Sequence, residues 1–238
     1  MIAGGPVIPN FGHGSSCVTG DHLFCWGWVK QNWGGTLQPA LIQHIRLTAV
    51  SVSIGFVLAM ALALIAHRAR RTRQPISIVA ALVYTFPSIA LFQLLIPLSG
   101  LTDTTVEIAL VSYTIVILFP NFIAGLDAAP PETLEAARGM GLTRGQILFR
   151  VELPLALPAI IGGLRIAVVS TIAIATIASL LGEIGLGYPI FYAIGLPTPF
   201  KTEIYTAGVM AVALALVCDA ALVLTRRFIV PWERAANR

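Results

Sequence analysis

Five apolar stretches, each long enough to cross a lipid bilayer, constrain this 238-residue chain more than any other feature. They cover residues 47–66, 76–102, 108–126, 155–182 and 204–225. A helix needs about 20 apolar residues to span a hydrocarbon core about 30 Å thick. Only 11% of the residues are charged, whereas a soluble domain carries about 25%. The sequence therefore predicts an all-α membrane protein with about five transmembrane helices.

The arginines predict the orientation, because short cytoplasmic loops retain positive residues. Eleven of the fifteen Lys and Arg residues lie in three segments: 67–74, 127–154 and the C-terminal end from 226. With five spans, all three segments fall inside when the N-terminus is outside and the C-terminus is inside. Membrane topology thus accounts for the basic pI of about 9.3. We expect a multi-pass protein of the cell (cytoplasmic) membrane that contacts lipid and binds no nucleic acid.

The domain organisation follows from these spans. Residues 1–40 lack a basic segment followed by an apolar one, so we expect an outer tail rather than a cleaved signal peptide. Residues 41–230 form the predicted transmembrane domain, with a cytoplasmic loop at 127–154. Residues 231–238 form a cytoplasmic tail.

The outer tail contains two cysteines, Cys17 and Cys25, with His13 and His22 nearby. A disulfide between the cysteines is compatible with an extracytoplasmic location. Two free thiols are the alternative, and a His/Cys metal site is the least favoured one. We expect no bound metal and no cofactor.

The loop at 127–154 departs from its surroundings in charge, glycine and proline content. The prolines at 130–131 can open a helix of about ten residues. Gly141 can adopt the left-handed conformation that ends a helix. Thr143, with Gln146 three positions later, fits a capping box that starts a second helix. The pattern predicts a helix, a glycine turn and a capped helix, a shape that an interfacial linker would share.

The residue spacing in the loop is more specific than its shape. The stretch "EAARGMGLTRGQILFRVELP" has Glu-Ala-Ala at 135–137, then Gly141, Val151 and Leu-Pro at 153–154. This pattern resembles the EAA loop of ABC-importer permeases, with valine in place of the usual isoleucine at 151. In that family the loop inserts into a cleft on an ATPase subunit. The resemblance implies a coupling site formed by Glu135, Ala136, Ala137, Gly141, Leu142 and Thr143.

Residues 40–226 resemble more narrowly the osmoprotectant branch of these permeases, which carries glycine betaine, proline betaine, carnitine and choline. The resemblance implies the type I ABC importer permease fold. It also implies three kinds of partner: ATP-binding cassette ATPase subunits, a second permease subunit that is identical or similar, and an extracytoplasmic substrate-binding protein. The sequence contains no Walker-type phosphate loop, so we expect a transport subunit whose partner hydrolyses ATP.

Aromatic and polar residues around a proline in the second span are candidates for the translocation path, because aromatic faces attract quaternary ammonium groups. Ordinary helix packing is the alternative. Glu183, near the outer end of the fourth span, is a further candidate because carboxylates near a membrane are costly and often functional. It also fits a plain interfacial position. The candidate path residues are Tyr84, Phe86, Pro87, Ser88, Gln93 and Glu183.

Two lone charges, Arg165 and Asp219, lie within the fourth and fifth spans. Both are expected in the cytoplasmic half of the membrane. A pair between them would offset part of the cost of burying each charge. Snorkelling of each side chain to the inner surface is the alternative.

Two other functions remain compatible with the sequence. One is a type I permease for amino acids, methionine or sulfonates. The other is an ion-driven carrier or channel whose inner loop only resembles the EAA pattern. Transport that persists without ATP hydrolysis would distinguish the carrier or channel from the importer.

Overall fold

The computed structural model describes residues 23–197 and 199–232, and all regular structure within these ranges is helical. Four helices are long and apolar enough to cross a membrane, or five when a bent pair is counted as one span. The all-α architecture agrees with the sequence prediction. The helices are α1 Trp26–Asn32, α2 Gln38–Arg68, α3 Arg70–Thr85, α4 Ser88–Ser99, α5 Asp103–Leu126, α6 Pro131–Gly139, α7 Arg144–Ile147, α8 Leu153–Ala178, α9 Gly187–Ile194 and α10 Lys201–Ile229.

The first span begins further upstream than its apolar stretch. Helix α1 continues through a π-helical turn, Trp33–Leu37, into α2, so that one helix of 43 residues runs from Trp26 to Arg68. At 1.5 Å per residue it is about 65 Å long, roughly twice the hydrocarbon thickness. The helix crosses the predicted tail boundary at residue 40 without a break.

The second span is broken at Pro87, one of the two prolines that interrupt its apolar stretch at 76–102. The axes of α3 and α4 are bent by 100° at residues 86–87. Pro87 lacks a backbone N–H and favours an extended preceding residue, and Phe86 accordingly has φ −72° and ψ 129°. The hydroxyl of Tyr113 donates to the Phe86 carbonyl at 2.6 Å. This bond satisfies a carbonyl that the break releases from helical bonding.

Helix α5 is the central element, since both α2 and α8 pack along it. Small residues allow these close approaches, as is common between membrane helices. A Cβ atom added to Gly55 of α2 would lie 2.5 Å from Thr114 of α5, and one added to Gly163 of α8 would lie 2.6 Å from Asn121. The apolar core is densest between these helices, with Phe119 and Phe122 almost fully buried.

The fourth and fifth spans differ in how much of their surface is buried within the subunit. Helix α7 runs through a π-helical turn, Leu148–Glu152, directly into α8, giving one helix from Arg144 to Leu181. The expected short helix is thus continuous with the fourth span, and Pro154, which lacks a backbone N–H, directly follows the π-helical turn. Helix α10 packs on α8 and α9, but only 11% of its most apolar 18-residue stretch is buried within the subunit.

Candidate functional site

The cytoplasmic elbow, defined as α6, the turn at Gly141 and α7, has the local structure that its capping signals predict. Gly141 has φ 80°, and the Leu142 N–H donates to the Ala137 carbonyl at 3.2 Å to close α6. The Thr143 hydroxyl accepts from the Gln146 N–H, while the Gln146 side chain accepts from the Thr143 N–H at 2.8 Å. The predicted helix, glycine turn and capping box are confirmed.

The elbow presents a mixed polar and apolar surface. Glu135, Ala136, Gly141 and Thr143 are exposed, Leu142 is half-buried, and Ala137 is buried against the protein. Two large apolar side chains that the sequence pattern did not single out project from the same region. Met140 is 73% exposed and Phe149 is 67% exposed. An exposed apolar surface of this kind is typical of a protein contact.

A network of ionisable side chains joins the segments that flank the elbow to the ends of the membrane helices. His67, at the end of α2, places Nε2 3.1 Å from Glu152 and Nδ1 3.3 Å from Asp127. Asp127 follows α5 directly and also accepts from Arg73 of α3. The Nε2 atom hydrogen-bonds to Glu152, and Nδ1 lies within ion-pair distance of Asp127. The network joins α2, α3, α5 and the π-turn that precedes α8.

A cavity of about 490 Å³ lies between this network and α6. Glu135 and Arg138 of the elbow line it together with His67 and Arg73. Glu135 therefore lies between the exposed surface of the elbow and the His67 network. A displacement of α6 would change the shape of this cavity, which the ends of α2 and α3 also line.

Arg165 and Asp219, predicted as lone charges, lie together. The guanidinium of Arg165 on α8 donates from Nε to Asp219 Oδ1 at 2.8 Å and from Nη2 to Oδ2 at 2.9 Å. This two-bond geometry is the strongest form of an arginine–carboxylate pair. The pair borders an open cavity of about 700 Å³ that Asn121 and Ser170 also line.

Glu183 lies beyond the end of the fourth span, in the outer loop before α9. Its carboxylate accepts from the Tyr188 hydroxyl at 3.1 Å. Burial raises the pKa of Tyr188, and the hydrogen bond to Glu183 raises that pKa further. The loop is also hydrogen-bonded to α2, where His44 Nδ1 accepts from the Leu186 N–H at 3.2 Å. Gln43 accepts from the Gly185 N–H at 2.9 Å.

The candidate path residues of the second span cluster at the break between α3 and α4. Tyr84 is 67% exposed and Phe86 is 45% exposed. Pro87 and Gln93 are exposed as well, and Ser88 is half-buried. Within the described part of the chain, Tyr84 and Phe86 form no ring pair. Four of the five candidate residues around the break are thus exposed on the subunit.

The proposed disulfide lies only partly within the described residues. Cys25 precedes α1, is 1% exposed and is disulfide-bonded. Cys17 lies outside the described residues, so the pairing stays a prediction. The nearby His13 and His22 lie outside them too. Among the residues that the structure describes, no group of three or more His, Cys, Asp or Glu side chains could hold a metal ion.

The sequence pattern of one family, "Binding-protein-dependent transport system inner membrane component", matches residues 51–232. The chain belongs to this family. It is accordingly a membrane transport subunit, a permease of an ABC importer, and the matched range contains the broken span, the elbow and both charged membrane residues. The resemblance that rested on the spacing of residues 135–154 is confirmed.

Relatives of this permease carry names from the osmoprotectant branch. The osmoprotectant import permease protein OsmW of Salmonella typhimurium is 37% identical over 158 residues, which are 64% of this chain and 74% of the relative. The choline transport system permease protein OpuBB of Bacillus subtilis is 31% identical over 202 residues, 84% of this chain and 92% of the relative.

The fold of the permease resembles that of a solved importer. An inward-facing structure of the MetNI methionine ABC transporter aligns with a TM-score of 0.74 at 22% identity, covering 81% of this chain and 95% of the other. At this identity the likeness shows the fold alone. The predicted type I importer fold is confirmed.

The permease also has functional candidates that the sequence reasoning missed. The His67 network was hidden because its members are far apart in the chain, at positions 67, 73, 127 and 152. Met140 lies within the motif, between two glycines. A large apolar side chain at this position of a polar loop is a sequence signal that could have indicated a contact surface.

Proposed function

We propose that this permease imports quaternary-amine osmoprotectants, such as choline, glycine betaine or carnitine. The substrate class is supported by relatives named for osmoprotectant and choline transport, one of which aligns over 84% of this chain. The substrate need not be identical to theirs. Compounds with a methylated ammonium group form the class to test first.

The energy for transport comes, in this proposal, from partner ATPase subunits that dock on the elbow. The observation that supports docking best is the exposed surface of the elbow, which carries Met140 beside the motif residues. The chain on either side of the elbow, at Asp127 and Glu152, contacts the ends of α2 and α3. Closure of the ATPase would move α6, and the His67 network would transmit the movement to α2, α3 and α5. The proposed coupling residues are Glu135, Ala136, Ala137, Gly141, Leu142 and Thr143.

A complete transporter further requires a second permease subunit and a substrate-binding protein. The largely uncovered apolar face of α10 is consistent with a neighbouring helix or lipid at that position. Whether the second permease is an identical chain is part of the proposal to be tested. The substrate path follows the broken span and the outer loop that contains Glu183.

An uptake experiment tests this function. The permease would be co-expressed with its genomic neighbours and reconstituted in vesicles that contain ATP. Import of radiolabelled choline, glycine betaine and carnitine is compared with that of methionine and taurine. ATP-dependent uptake of at least one quaternary amine is expected. Uptake of methionine or taurine alone would favour the alternative importers, and uptake without ATP would favour an ion-driven carrier.

A further inference from the structure

The outer loop and the start of α10 combine two tyrosines with two carboxylates. Tyr188 and Tyr192 lie one turn apart on α9, with ring centroids 5.8 Å apart and an angle of 39° between the rings. Glu183 bonds to the Tyr188 hydroxyl at 3.1 Å. Helix α9 packs against α10, whose first turn carries Glu203. Aromatic faces and carboxylates are the two groups that attract an organic cation.

Glu203 is the unusual member of this group. The residue is only 5% exposed, and within residues 23–197 and 199–232 no hydrogen bond or ion pair to its carboxylate is found. Burying a carboxylate without a partner is costly. The Phe200 N–H, directly before α10, donates to the Ala193 carbonyl of α9 at 3.2 Å, so the first turn of α10, which carries Glu203, lies beside the end of α9. A cation beside the tyrosines would supply the missing partner.

The scaffold beneath these residues is fixed. The bonds from the Gly185 and Leu186 N–H groups to α2 hold the loop at the point where α9 begins. Gly187, the first residue of α9, leaves no room for a side chain because the Thr176 carbonyl of α8 is in contact with it. The loop and the start of α9 are therefore held in place against α2 and α8. A preformed site loses less entropy on binding.

We propose that Tyr188, Tyr192, Glu183 and Glu203 form an outer binding site for the quaternary ammonium group of the substrate. The proposal rests on the proposed function and specifies where the substrate first contacts the permease. The arginine distribution puts α9 on the outer side, where a binding protein would release its ligand. The rings provide cation–π attraction, and the two carboxylates provide opposite charge.

Equilibrium binding to the full-length permease in lipid nanodiscs tests the site. The probe is radiolabelled choline, competed by its uncharged carbon analogue 3,3-dimethylbutan-1-ol. Glu203→Gln, Tyr192→Leu and Tyr188→Phe are compared with two controls at other positions of the outer half, Glu107→Gln and Tyr205→Leu. We expect about tenfold weaker choline binding in Glu203→Gln and Tyr192→Leu, no loss in the controls, and no competition by the alcohol.

Uptake by the reconstituted transporter separates failure of the site from failure of the function. If the wild-type protein imports choline but the cluster variants bind it as the controls do, the site is overturned and the function stands. If choline binding is weakened by Glu203→Gln while no quaternary amine is imported, the site stands and the function is overturned. Tyr192→Leu is included because its side chain is 48% exposed, so we expect this variant to fold even if Glu203→Gln does not.

Discussion

Arg165 of α8 and Asp219 of α10 form a two-bond ion pair between the fourth and fifth spans, with donor–acceptor distances of 2.8 and 2.9 Å. The residues are 54 positions apart in the chain, and each is the lone charge of its apolar stretch. Removing one partner leaves an unpaired charge in a membrane helix, whereas replacing both with apolar residues leaves no charge to bury. The pair also borders a cavity that is open at the surface of the subunit.

Single and double replacements of this pair should have opposite consequences for stability. Arg165→Leu and Asp219→Leu should each lower the melting temperature of the purified protein in detergent, and the double variant should recover most of the loss. Fluorescence-detected thermal unfolding measures this. If the double variant loses the sum of the two single effects, the residues are not coupled.

Gly141 should be essential to the elbow because of its backbone conformation. With φ 80°, an alanine there would cost about 1–2 kcal/mol. Gly141→Ala should therefore weaken co-purification of the ATPase while the permease is still inserted in the membrane. The matched control is Gly139→Ala, since Gly139 lies in α6 and a Cβ there would meet nothing within 4 Å. Equal ATPase recovery from both variants would contradict the docking role.

The bond between His67 and Glu152 should couple ATP hydrolysis to transport. Glu152→Gln keeps the size of the side chain but removes the charge that faces the imidazole. We expect ATPase subunits to remain bound, while the number of substrate molecules imported per ATP falls severalfold. Parallel assays of hydrolysis and uptake in vesicles measure this ratio. Glu132→Gln is the control, because Glu132 is exposed on the same elbow. An unchanged ratio in Glu152→Gln would remove the network from the coupling route.

Residues at the break of the second span should be reachable from water if they line the path. Single cysteines replacing Ser88 or Gln93, in a background with Cys17, Cys25 and Cys218 replaced by serine, should react with a charged, water-soluble thiol reagent. Saturating choline and binding protein should slow the reaction at Gln93→Cys. A cysteine at Leu94, which is 58% exposed on the neighbouring position of α4, serves as the comparison. Labelling at Leu94→Cys alone would assign Ser88 and Gln93 to helix packing.

The elbow could be predicted almost completely because its determinants are local. Gly141 and the pair Thr143 and Gln146 act within a few residues, so backbone conformation and capping follow from the sequence. The apolar spans were predictable for the same reason, since hydrophobic length is a property of a segment. Pro87 predicted the place of the bend in the second span, but not its angle of 100°, because a proline sets where a helix bends and not by how much.

By itself, the sequence determined the membrane class of this permease, its orientation and the motif through which it is proposed to meet an ATPase, because hydrophobic length, arginine distribution and helix caps depend on neighbours in the chain. Only the tertiary structure decided the partners of its charges. Asp219 meets Arg165, and His67 lies between Asp127 and Glu152. These contacts arise where separate helices cross, and helix crossing depends on how small residues such as Gly55 and Gly163 let the backbones approach.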